Sequence, residues 1–380
     1  MRIAVNTRFL LSSKMEGFGW YTFEIVKRLV ENHPEHEFIF FFDRKYDERF
    51  VFGSNVTPVV LNPPARHPIL FRIWFNYSVK RALKKYKADL FFSPDGFLSL
   101  KTKVPQVGVI HDINFEHHPE DIPTSARNYL TKFFPRFAQK ATHLLTVSEY
   151  SKQDICATYG IAPEKITVSW NGASDAFRPV ADDEKEAIRH RYAGGKNYLL
   201  FVGALHPRKN VKRLISAYQT VRASATNFDY ELVIVGEALW KRSGYELDID
   251  DQTQSHIHFT GHLSLEELAN VMGAASVFTF VPYFEGFGIP LVEAMRCGTP
   301  ILSGNLTSLP EVAGDAALYC NPLDTDDIAD KLREICADET LRAALSEKGL
   351  TRSQLFSWDR SAENVWKVLE EQLDKLTSKK

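Results

Sequence analysis

The stretch VPYFEGFGIPLVEAMRCGTP at residues 281–300 joins a predicted strand to a predicted helix. The run ASVFTF at 275–280 precedes it and has the short apolar, β-branched pattern of a buried strand. Pro290 stands in the first turn of the predicted helix and Gly298 follows its last turn, which is the usual distribution of these residues at helix ends. A strand, a glycine-containing loop and a helix form the repeating unit of doubly wound α/β folds.

The glycine loop within this stretch predicts an anion-binding site. Gly286 and Gly288 lack a Cβ atom, so the amides from Phe287 to Leu291 can approach a ligand closely. The positive end of a helix dipole favours an anion there, and a phosphate fits best. The loop residues predicted to bind this ligand are Gly286, Phe287, Gly288, Ile289 and Leu291.

Two carboxylates, Glu285 and Glu293, flank the loop. Because a carboxylate accepts two hydrogen bonds from a vicinal diol, Glu293 is predicted to bind a ribose, and Glu285 a sugar or the charge that develops on it. For an isolated E-x7-E pattern, a simpler interpretation is an ordinary strand-to-helix turn with two surface glutamates. The rest of the chain decides between these interpretations.

The composition excludes several classes of protein. The 380 residues suffice for two globular domains, and 46 Lys and Arg against 48 Asp and Glu give a formal charge of −2, which argues against nucleic-acid binding. The four cysteines have no C-x-x-C spacing, so we expect neither a disulfide framework nor a zinc site. The N-terminal residues lack the apolar core of a signal peptide and no run of eighteen apolar residues occurs, so the sequence predicts a cytoplasmic protein.

The first half of the chain repeats the strand and helix pattern. RIAVN at 2–6 is a predicted strand, and the following helical pattern begins with Gly17 and Gly19. This G-x-G lacks the third glycine and the acidic residue of a dinucleotide-binding motif, so the sequence does not favour NAD. Further predicted strands are EFIFFF at 37–42, ADLFFSP at 88–94, and QVGVI at 106–110.

His111 follows the last of these strands directly and precedes Asp112. A single histidine is more often structural than catalytic. The carboxyl end of a parallel strand is, however, where ligands bind in such folds, so this position favours a functional role for His111.

The segment near residues 68–87 is predicted to be a basic amphipathic helix with interleaved aromatic residues. One interpretation is a solvated basic face on a helix that packs against the sheet. The other is a peripheral contact with an anionic membrane surface, at the inner face of the membrane.

The second half repeats the same architecture without a sequence repeat. The charged segment 175–195 contains Pro179 and a Gly-Gly pair and is predicted to be a domain linker. NYLLFVG at 197–203 is then a strand ending in Gly203, and Arg208 and Lys209 follow in the next loop. An arginine fork and a lysine point charge beside a helix start suit a diphosphate.

The combined motifs resemble those of family 4 glycosyltransferases, which are retaining enzymes of the GT-B fold. The resemblance covers nearly the whole chain and rests on the E-x7-E motif together with motifs that occur in the family's order: VSEYSK at 147–152, WNG at 170–172, PRKN at 207–210, and SLPEVAGDAALY at 308–319. It implies two Rossmann-like domains with doubly wound parallel sheets that face each other across a cleft. The implied domains are an acceptor-binding domain at 1–180, a nucleotide-sugar-binding domain at 181–356, and a C-terminal helix at 357–380 that returns to the first domain.

The same resemblance assigns the site residues. It places Arg208 and Lys209 on the donor diphosphate, Glu293 on the nucleotide ribose, and Glu285 and His111 on the transferred sugar. It places Gly17, Gly19 and Gly203 along the donor site. Some relatives carry an arginine directly after the glycine of this strand, where the present chain has Ala204, so Arg208 is expected to be the only arginine on the phosphates.

The resemblance implies transfer of a hexosyl group, with mannosyl from GDP-mannose as the best match, to a glycan or lipid-linked acceptor. No cofactor or metal is expected, because the D-x-D pairs at 248–250 and 324–326 lie away from the predicted strand ends. The alternatives are a nucleotide-sugar epimerase on the same fold, a non-catalytic nucleotide-sugar-binding protein, and a phosphorylase that would need a lysine for pyridoxal phosphate.

Overall fold

The computed structural model describes residues 1–12, 15, 17–224, 228–237 and 247–378. The chain forms two compact units, which we name unit 1 and unit 2. Unit 1 comprises Met1–Asn171 together with the C-terminal segment from Ser357, and unit 2 comprises Gly172–Phe356.

Unit 1 is built on a seven-stranded sheet in which all neighbouring strands are parallel. The strands are β1 (Arg2–Asn6), β2 (Glu37–Phe42), β3 (Val56–Val60), β4 (Leu90–Ser93), β5 (Gln106–Val109), β6 (His143–Thr146) and β7 (Ile166–Val168). Their order is 3-2-1-4-5-6-7. The strand order therefore reverses between β1 and β4: the strands up to β3 extend the sheet on one side of β1, and the later strands extend it on the other. Ligands of such folds bind at the carboxyl ends of the strands at this switch point.

The sequence pattern did not predict β3, because Pro58 interrupts its apolar run. Proline cannot donate a ladder hydrogen bond and is therefore confined mainly to sheet edges. β3 is the edge strand of this sheet and pairs only with β2 among the described strands. The edge position explains why the proline is tolerated there.

Helices cover both faces of the sheet in unit 1. They are α1 (Gly17–Asn32), α2 (Pro68–Ile73), α3 (Lys80–Lys85), α4 (Asn114–His117), α5 (Thr124–Lys140) and α6 (Glu149–Tyr159). Ser148 caps α6 by accepting a hydrogen bond from the Ser151 amide at 3.0 Å, as the sequence predicted.

The predicted basic helix consists of α2 and α3 joined by a π-helical turn at Trp74–Val79. Trp74 and Phe75 are fully buried in the core of unit 1, so these two aromatic residues serve packing. The basic side chains of the segment are exposed. No helix in the described ranges has both the length and the apolar composition needed to cross a bilayer.

Unit 2 contains a six-stranded sheet, also parallel throughout its named strands. The strands are β8 (Asn197–Val202), β9 (Tyr230–Val235), β10 (Ile257–Gly261), β11 (Val277–Phe280), β12 (Ile301–Gly304) and β13 (Ala317–Cys320). The helices are α7 (Asp182–Ala193), α8 (Val211–Ser224), α9 (Leu265–Ala274), α10 (Ile289–Cys297), α11 (Leu309–Ala313), α12 (Thr325–Ala337) and α13 (Glu339–Ser353). The strand order 10-9-8-11-12-13 places the switch point between β8 and β11.

The last helix, α14 (Trp358–Thr377), belongs to unit 1 although it follows unit 2 in the chain. It packs against α1, β4 and β6. Trp366 on α14 stacks on His33, with ring centroids 3.5 Å apart. Ser169 after β7 also donates a hydrogen bond to the Ser361 carbonyl at 3.1 Å, which ties the helix to the sheet.

The predicted linker at 175–195 is wrong. Most of this charged segment forms α7, which contacts α9 and β8 within unit 2. Its charges reflect a largely exposed helix, in which only Ala193 is buried. The units divide between Asn171 and Gly172, earlier in the chain than the predicted boundary at 180.

Candidate functional site

The loops after β8 and β11 bring the predicted diphosphate-binding residues together at the switch point of unit 2. Gly203 follows β8 with φ of 153°, and a Cβ atom there would lie 3.7 Å from the Lys209 side chain. Arg208 and Lys209 lie on a 3₁₀ turn at Pro207–Lys209, whose first amide is capped by the His206 side chain at 3.3 Å. Both cations reach the loop after β11.

Glu285 binds both cations through the same carboxylate oxygen. Its Oε1 accepts hydrogen bonds from Arg208 Nη1 at 2.6 Å and from Lys209 Nζ at 2.5 Å. The glutamate is buried, with 7% of its surface exposed. Burial alone would raise the pKa of Glu285, but the charges of Arg208 and Lys209 outweigh it and hold this pKa below its usual value. Glu285 is therefore an ionised, buried carboxylate.

Three polar side chains that the sequence did not single out hold the two loops in place. The buried Asn210 adopts a left-handed conformation and donates to the carbonyls of Val281 at 2.9 Å and Pro322 at 2.6 Å. Thr307 Oγ1 accepts from the Glu285 amide at 3.2 Å, and Ser308 Oγ donates to the Glu285 carbonyl at 3.0 Å. Asn210 and Ser308 lie in the motifs quoted above, but their spacing gave no indication of these contacts.

The loop after Glu285 leads into α10 as the sequence predicted. Gly288 has φ of 91°, a left-handed value that favours glycine, and a Cβ atom there would meet the Leu309 side chain at 3.1 Å. Ile289 begins α10 and is partly exposed, whereas Gly286 is buried.

Phe287 and Leu291, both predicted to bind the ligand, direct their side chains inward. The Phe287 ring packs edge-on against Phe356, with centroids 5.7 Å apart. Leu291 is fully buried and its amide donates to the Gly288 carbonyl at 2.9 Å, so Leu291 stabilises the loop. Amide access was inferred for the whole first turn of α10, and the structure shows that the Leu291 amide has this local partner; its ligand role stays a prediction.

Glu293 lies one turn further along α10 and differs from Glu285 in its charge state. The residue as a whole is partly exposed, but burial of its carboxyl group raises the pKa to about 7, although the charge of Lys209 acts in the opposite direction. Near neutral pH this group is therefore divided between its protonated and ionised forms.

In unit 1, His111 lies at the carboxyl end of β5 with a defined orientation. Its Nε2 lies 2.8 Å from the Pro94 carbonyl oxygen. Because a carbonyl only accepts, Nε2 carries the proton and Nδ1 is an acceptor. The imidazole also contacts the rings of Phe18 and Tyr21 edge-on, at 4.8 and 4.6 Å between centroids. Burial lowers the pKa of His111 despite its hydrogen bond to Pro94, which favours the neutral ring.

The two glycines at the start of α1 differ in the space available for a side chain. A Cβ atom on Gly19 would come within 2.8 Å of the Phe9 carbonyl oxygen, so close packing of α1 against the chain after β1 requires this glycine. A Cβ atom on Gly17 would meet no described atom within 4 Å. The structure thus gives Gly19 a packing role inside unit 1 and leaves the predicted ligand role of both glycines as a prediction.

One aspartate in each of the two D-x-D pairs forms hydrogen bonds that stabilise local structure. Asp324 caps α12 by accepting from the amides of Asp326 and Asp327. Asp250 accepts from the Thr253 amide at 2.7 Å and from Gln219 at 2.6 Å. These contacts explain the aspartates as cap and turn residues.

The pKa of Glu293 predicts a specific pH dependence of stability. The pKa of Glu293 is about 7 in the folded protein and ordinarily 4.5, so between these pH values the folded protein retains a proton that the unfolded chain has lost. Stability from this group is therefore complete below about pH 4.5 and is lost as pH rises to 7. We expect the melting temperature of Glu293→Gln, measured by thermal unfolding, to rise relative to that of the wild type as the pH is raised from 5 to 8.

The exposed Glu266 on α9 provides the control, since Glu266→Gln should shift the melting temperature by the same amount at both pH values. A pH-independent offset for Glu293→Gln would contradict the raised pKa.

Comparisons with known proteins agree with this arrangement. The family model described as Glycosyltransferase Family 4 matches residues 15–177, and the model described as Glycosyl transferases group 1 matches residues 182–352. Together these two models account for most of the chain.

Two relatives and one solved structure illustrate the similarity. The chain is 28% identical to O-antigen chain mannosyltransferase B of Escherichia coli over 93% of this chain and 97% of the relative. It is 27% identical to the serotype-specific mannosyltransferase WbdA of Escherichia coli over 67% of this chain, but spans only 32% of that longer protein. Sucrose-phosphate synthase from Thermosynechococcus elongatus superposes with a TM-score of 0.77 at 17% identity, covering 98% of this chain and 99% of the other.

The parallel sheets, the cationic loop at the switch point of unit 2 and the two family matches lead to one assignment. The chain belongs to the family 4 glycosyltransferases and has two Rossmann-like units of the GT-B type.

Proposed function

We propose that this glycosyltransferase is a retaining hexosyltransferase that uses a nucleotide-diphospho-sugar, with GDP-mannose as the favoured donor. The acceptor is a glycan or a lipid-linked glycan, and no divalent metal takes part. The names of the Escherichia coli relatives, an O-antigen chain mannosyltransferase and a serotype-specific mannosyltransferase, support the choice of mannose, and the first name supports a polysaccharide product.

The observation that carries this proposal is the pairing of Arg208 and Lys209 with a single oxygen of Glu285. Two cations at the switch point of a doubly wound sheet suit the β- and α-phosphates of a nucleotide sugar. In the free protein the carboxylate of Glu285 occupies them. On donor binding the diphosphate takes its place, and Glu285 becomes available to accept hydrogen bonds from the hydroxyls of the transferred sugar.

We infer that transfer takes place on one face of the sugar. In the proposed complex the oxygens of Glu285 accept hydrogen bonds from sugar hydroxyls, so Glu285 is not assigned the role of a nucleophile that forms a covalent glycosyl intermediate. In the proposed step the bond from C1 to the phosphate oxygen breaks while a bond from C1 to the acceptor oxygen forms on the same face. The acceptor proton moves to the departing phosphate oxygen, and Arg208 and Lys209 stabilise the charge of the nucleoside diphosphate.

Removing either cation should weaken binding of the nucleoside diphosphate. Each forms a charge-assisted hydrogen bond, so we expect Arg208→Ala and Lys209→Ala to lower the affinity for GDP by about 10- to 150-fold, or about 1.5 to 3 kcal/mol, in calorimetry. Lys348, which pairs with Asp315 on the surface of unit 2, gives a matched control, because Lys348→Ala should leave this affinity unchanged. Unchanged GDP affinity in both Arg208→Ala and Lys209→Ala would show that these two residues do not belong to the site.

Replacing Glu285 and replacing Glu293 should change different kinetic quantities. Because Glu285 competes with the diphosphate for the cations, we expect Glu285→Gln to lower turnover while GDP affinity rises about three- to tenfold. Glu293→Gln should instead weaken donor binding, since an amide offers one acceptor oxygen to the ribose diol. Initial rates and calorimetry on both variants test this. Equal loss of GDP affinity in the two variants would show that Glu285 does not oppose the phosphates.

Catalysis should not depend on a divalent metal, because the leaving group is neutralised by Arg208 and Lys209. We expect transferase activity to be retained after treatment with EDTA, as measured by release of nucleoside diphosphate in the presence of acceptor. Loss of activity that Mg²⁺ or Mn²⁺ restores would overturn this part of the proposal.

The helical segment from α2 to α3 supports a further part of the proposal, a peripheral contact with an anionic membrane surface. Ile69, Ile73 and Tyr77 recur every four residues and are 62%, 38% and 54% exposed. Exposed cations surround them in the same segment: Arg66, Arg72, Lys80, Arg81, Lys84, Lys85 and Lys87. Apolar side chains among cations suit a surface that combines acyl chains with anionic headgroups.

We expect the double variant Ile69→Ser, Tyr77→Ser to lose most binding to vesicles that contain phosphatidylglycerol, as measured by co-sedimentation. Phe259→Ser removes a similarly exposed apolar residue from unit 2 and should leave the binding intact. Equal binding of the wild type to phosphatidylcholine vesicles at high salt would contradict the electrostatic contact.

A further inference from the structure

Thr307 lies in the loop between β12 and α11 and has a backbone conformation that is unusual for a threonine. Its φ is 59°, in the left-handed region. The other non-glycine residues of positive φ in the described ranges are Lys87 and Asn210, so Thr307 is the one β-branched residue of the three. Two branches on Cβ crowd the backbone in this region, and such strain persists where the surroundings or a function require it. Contacts of the Thr307 side chain therefore have to offset the strain.

The Thr307 hydroxyl group contacts the backbone of Glu285. Its Oγ1 donates to the Leu306 carbonyl at 2.7 Å, which uses its single proton. The same oxygen accepts a hydrogen bond from the Glu285 amide at 3.2 Å. The fully buried Ser308 donates from Oγ to the Glu285 carbonyl at 3.0 Å. Two consecutive hydroxyl groups thus hold the amide and the carbonyl of Glu285.

The next residue, Leu309, supports the glycine loop that follows Glu285. Leu309 is fully buried, and a Cβ atom on Gly288 would meet its side chain at 3.1 Å. Residues 307–309 therefore contact both ends of the segment 285–288. Because β12 pairs with β11, the loops that follow these two strands are neighbours at the same edge of the sheet. The main chain of Glu285 is thus fixed by contacts that do not involve the cations.

We propose that Thr307 is a positioning residue that directs the Glu285 carboxylate toward the transferred sugar. This inference rests on the proposed function, in which the diphosphate displaces Glu285 from Arg208 and Lys209. In the free protein these two cations hold the carboxylate. When the diphosphate occupies them, the side chain loses both contacts, and the anchored backbone of Glu285 then limits its orientation. The Thr307 hydroxyl group thus acts on the sugar part of the donor, through Glu285, and leaves the diphosphate contacts unchanged.

Calorimetry with a nucleotide and the matching nucleotide sugar separates these two parts of the donor. We would measure GDP with GDP-mannose and UDP with UDP-glucose on the wild type and continue with the pair that binds. Thr307→Gly removes the hydroxyl group and suits the left-handed conformation. We expect it to bind the nucleotide sugar about three- to tenfold more weakly and the nucleoside diphosphate as the wild type does.

Two further variants of Thr307 separate the hydroxyl group from the backbone conformation. Thr307→Ala lacks the hydroxyl group but keeps the Cβ atom, and it should lose affinity for the nucleotide sugar as Thr307→Gly does. Thr307→Ser keeps the hydroxyl group and should bind both ligands like the wild type. A loss of affinity that follows the hydroxyl group across the three variants identifies the hydrogen bond to Glu285 as its cause.

The matched control is Thr299, which is also a buried threonine of unit 2 and donates from Oγ1 to the Met272 carbonyl at 2.7 Å. Thr299→Ala should lower the melting temperature by about 2 to 4 °C and leave both affinities unchanged. Thr307→Gly should melt within about 4 °C of the wild type, because relief of strain opposes the loss of the hydrogen bonds. A loss of stability of this size therefore does not by itself explain a lower affinity for the nucleotide sugar.

Three results would overturn the positioning role. The first is wild-type affinity for the nucleotide sugar in Thr307→Gly and Thr307→Ala. The second is an equal loss of affinity for nucleotide and nucleotide sugar, which would show that Thr307 supports the whole donor site. The third is a Thr307→Ser variant that binds as weakly as Thr307→Gly. Failure of the proposed function gives a different result, because the wild type itself would then bind neither pair of ligands.

Discussion

The candidate site depends on the contact of Arg208 and Lys209 with one oxygen of Glu285. A buried carboxylate loses several kcal/mol of hydration and is tolerated only when it is paired and hydrogen-bonded. Here the two partners are cations that a phosphate would also bind. The internal anion therefore holds Arg208 and Lys209 next to each other at the switch point. The contacts of Asn210, Thr307 and Ser308 maintain the two loops that this arrangement requires.

The two units use the same sheet topology for different chemistry. In unit 2 the switch point between β8 and β11 gathers cations and carboxylates. In unit 1 the switch point between β1 and β4 carries an internally neutralised pair, Arg8 with Asp95, and presents Phe18 and His111 beside it. One switch point thus gathers charged side chains, whereas the other presents an apolar ring and an imidazole beside a neutralised ion pair.

The two glutamates of the E-x7-E motif show how neighbouring groups shift the pKa of the same residue type in opposite directions. Glu285 lies within hydrogen-bonding distance of two cations, which lowers its pKa. Glu293 experiences Lys209 only through a longer-range interaction, so burial dominates and raises its pKa to about 7. The motif therefore contains one carboxylate whose pKa lies below its usual value and one whose pKa is raised to about 7.

Local chemistry in the sequence determined many of the elements and indicated the candidate site residues. Apolar runs predicted β1 and β2 with their observed bounds, because a strand buried on both faces needs such residues regardless of its neighbours. Ser148 predicted a helix start for the same reason, since an N-cap depends only on adjacent amides. The glycine loop before α10 and the order of the motifs were equally visible.

The tertiary structure alone decided which of these residues meet. Lys209 and Glu285 are 76 residues apart, and their contact arises because β8 pairs with β11. Strand order is a long-range property that no local periodicity encodes. For the same reason, only the structure identified α7 as part of unit 2, the burial of Trp74 and Phe75, and the packing of Leu291. Residue types and local propensities follow from neighbours in the chain, whereas burial, charge state and contacts follow from neighbours in space.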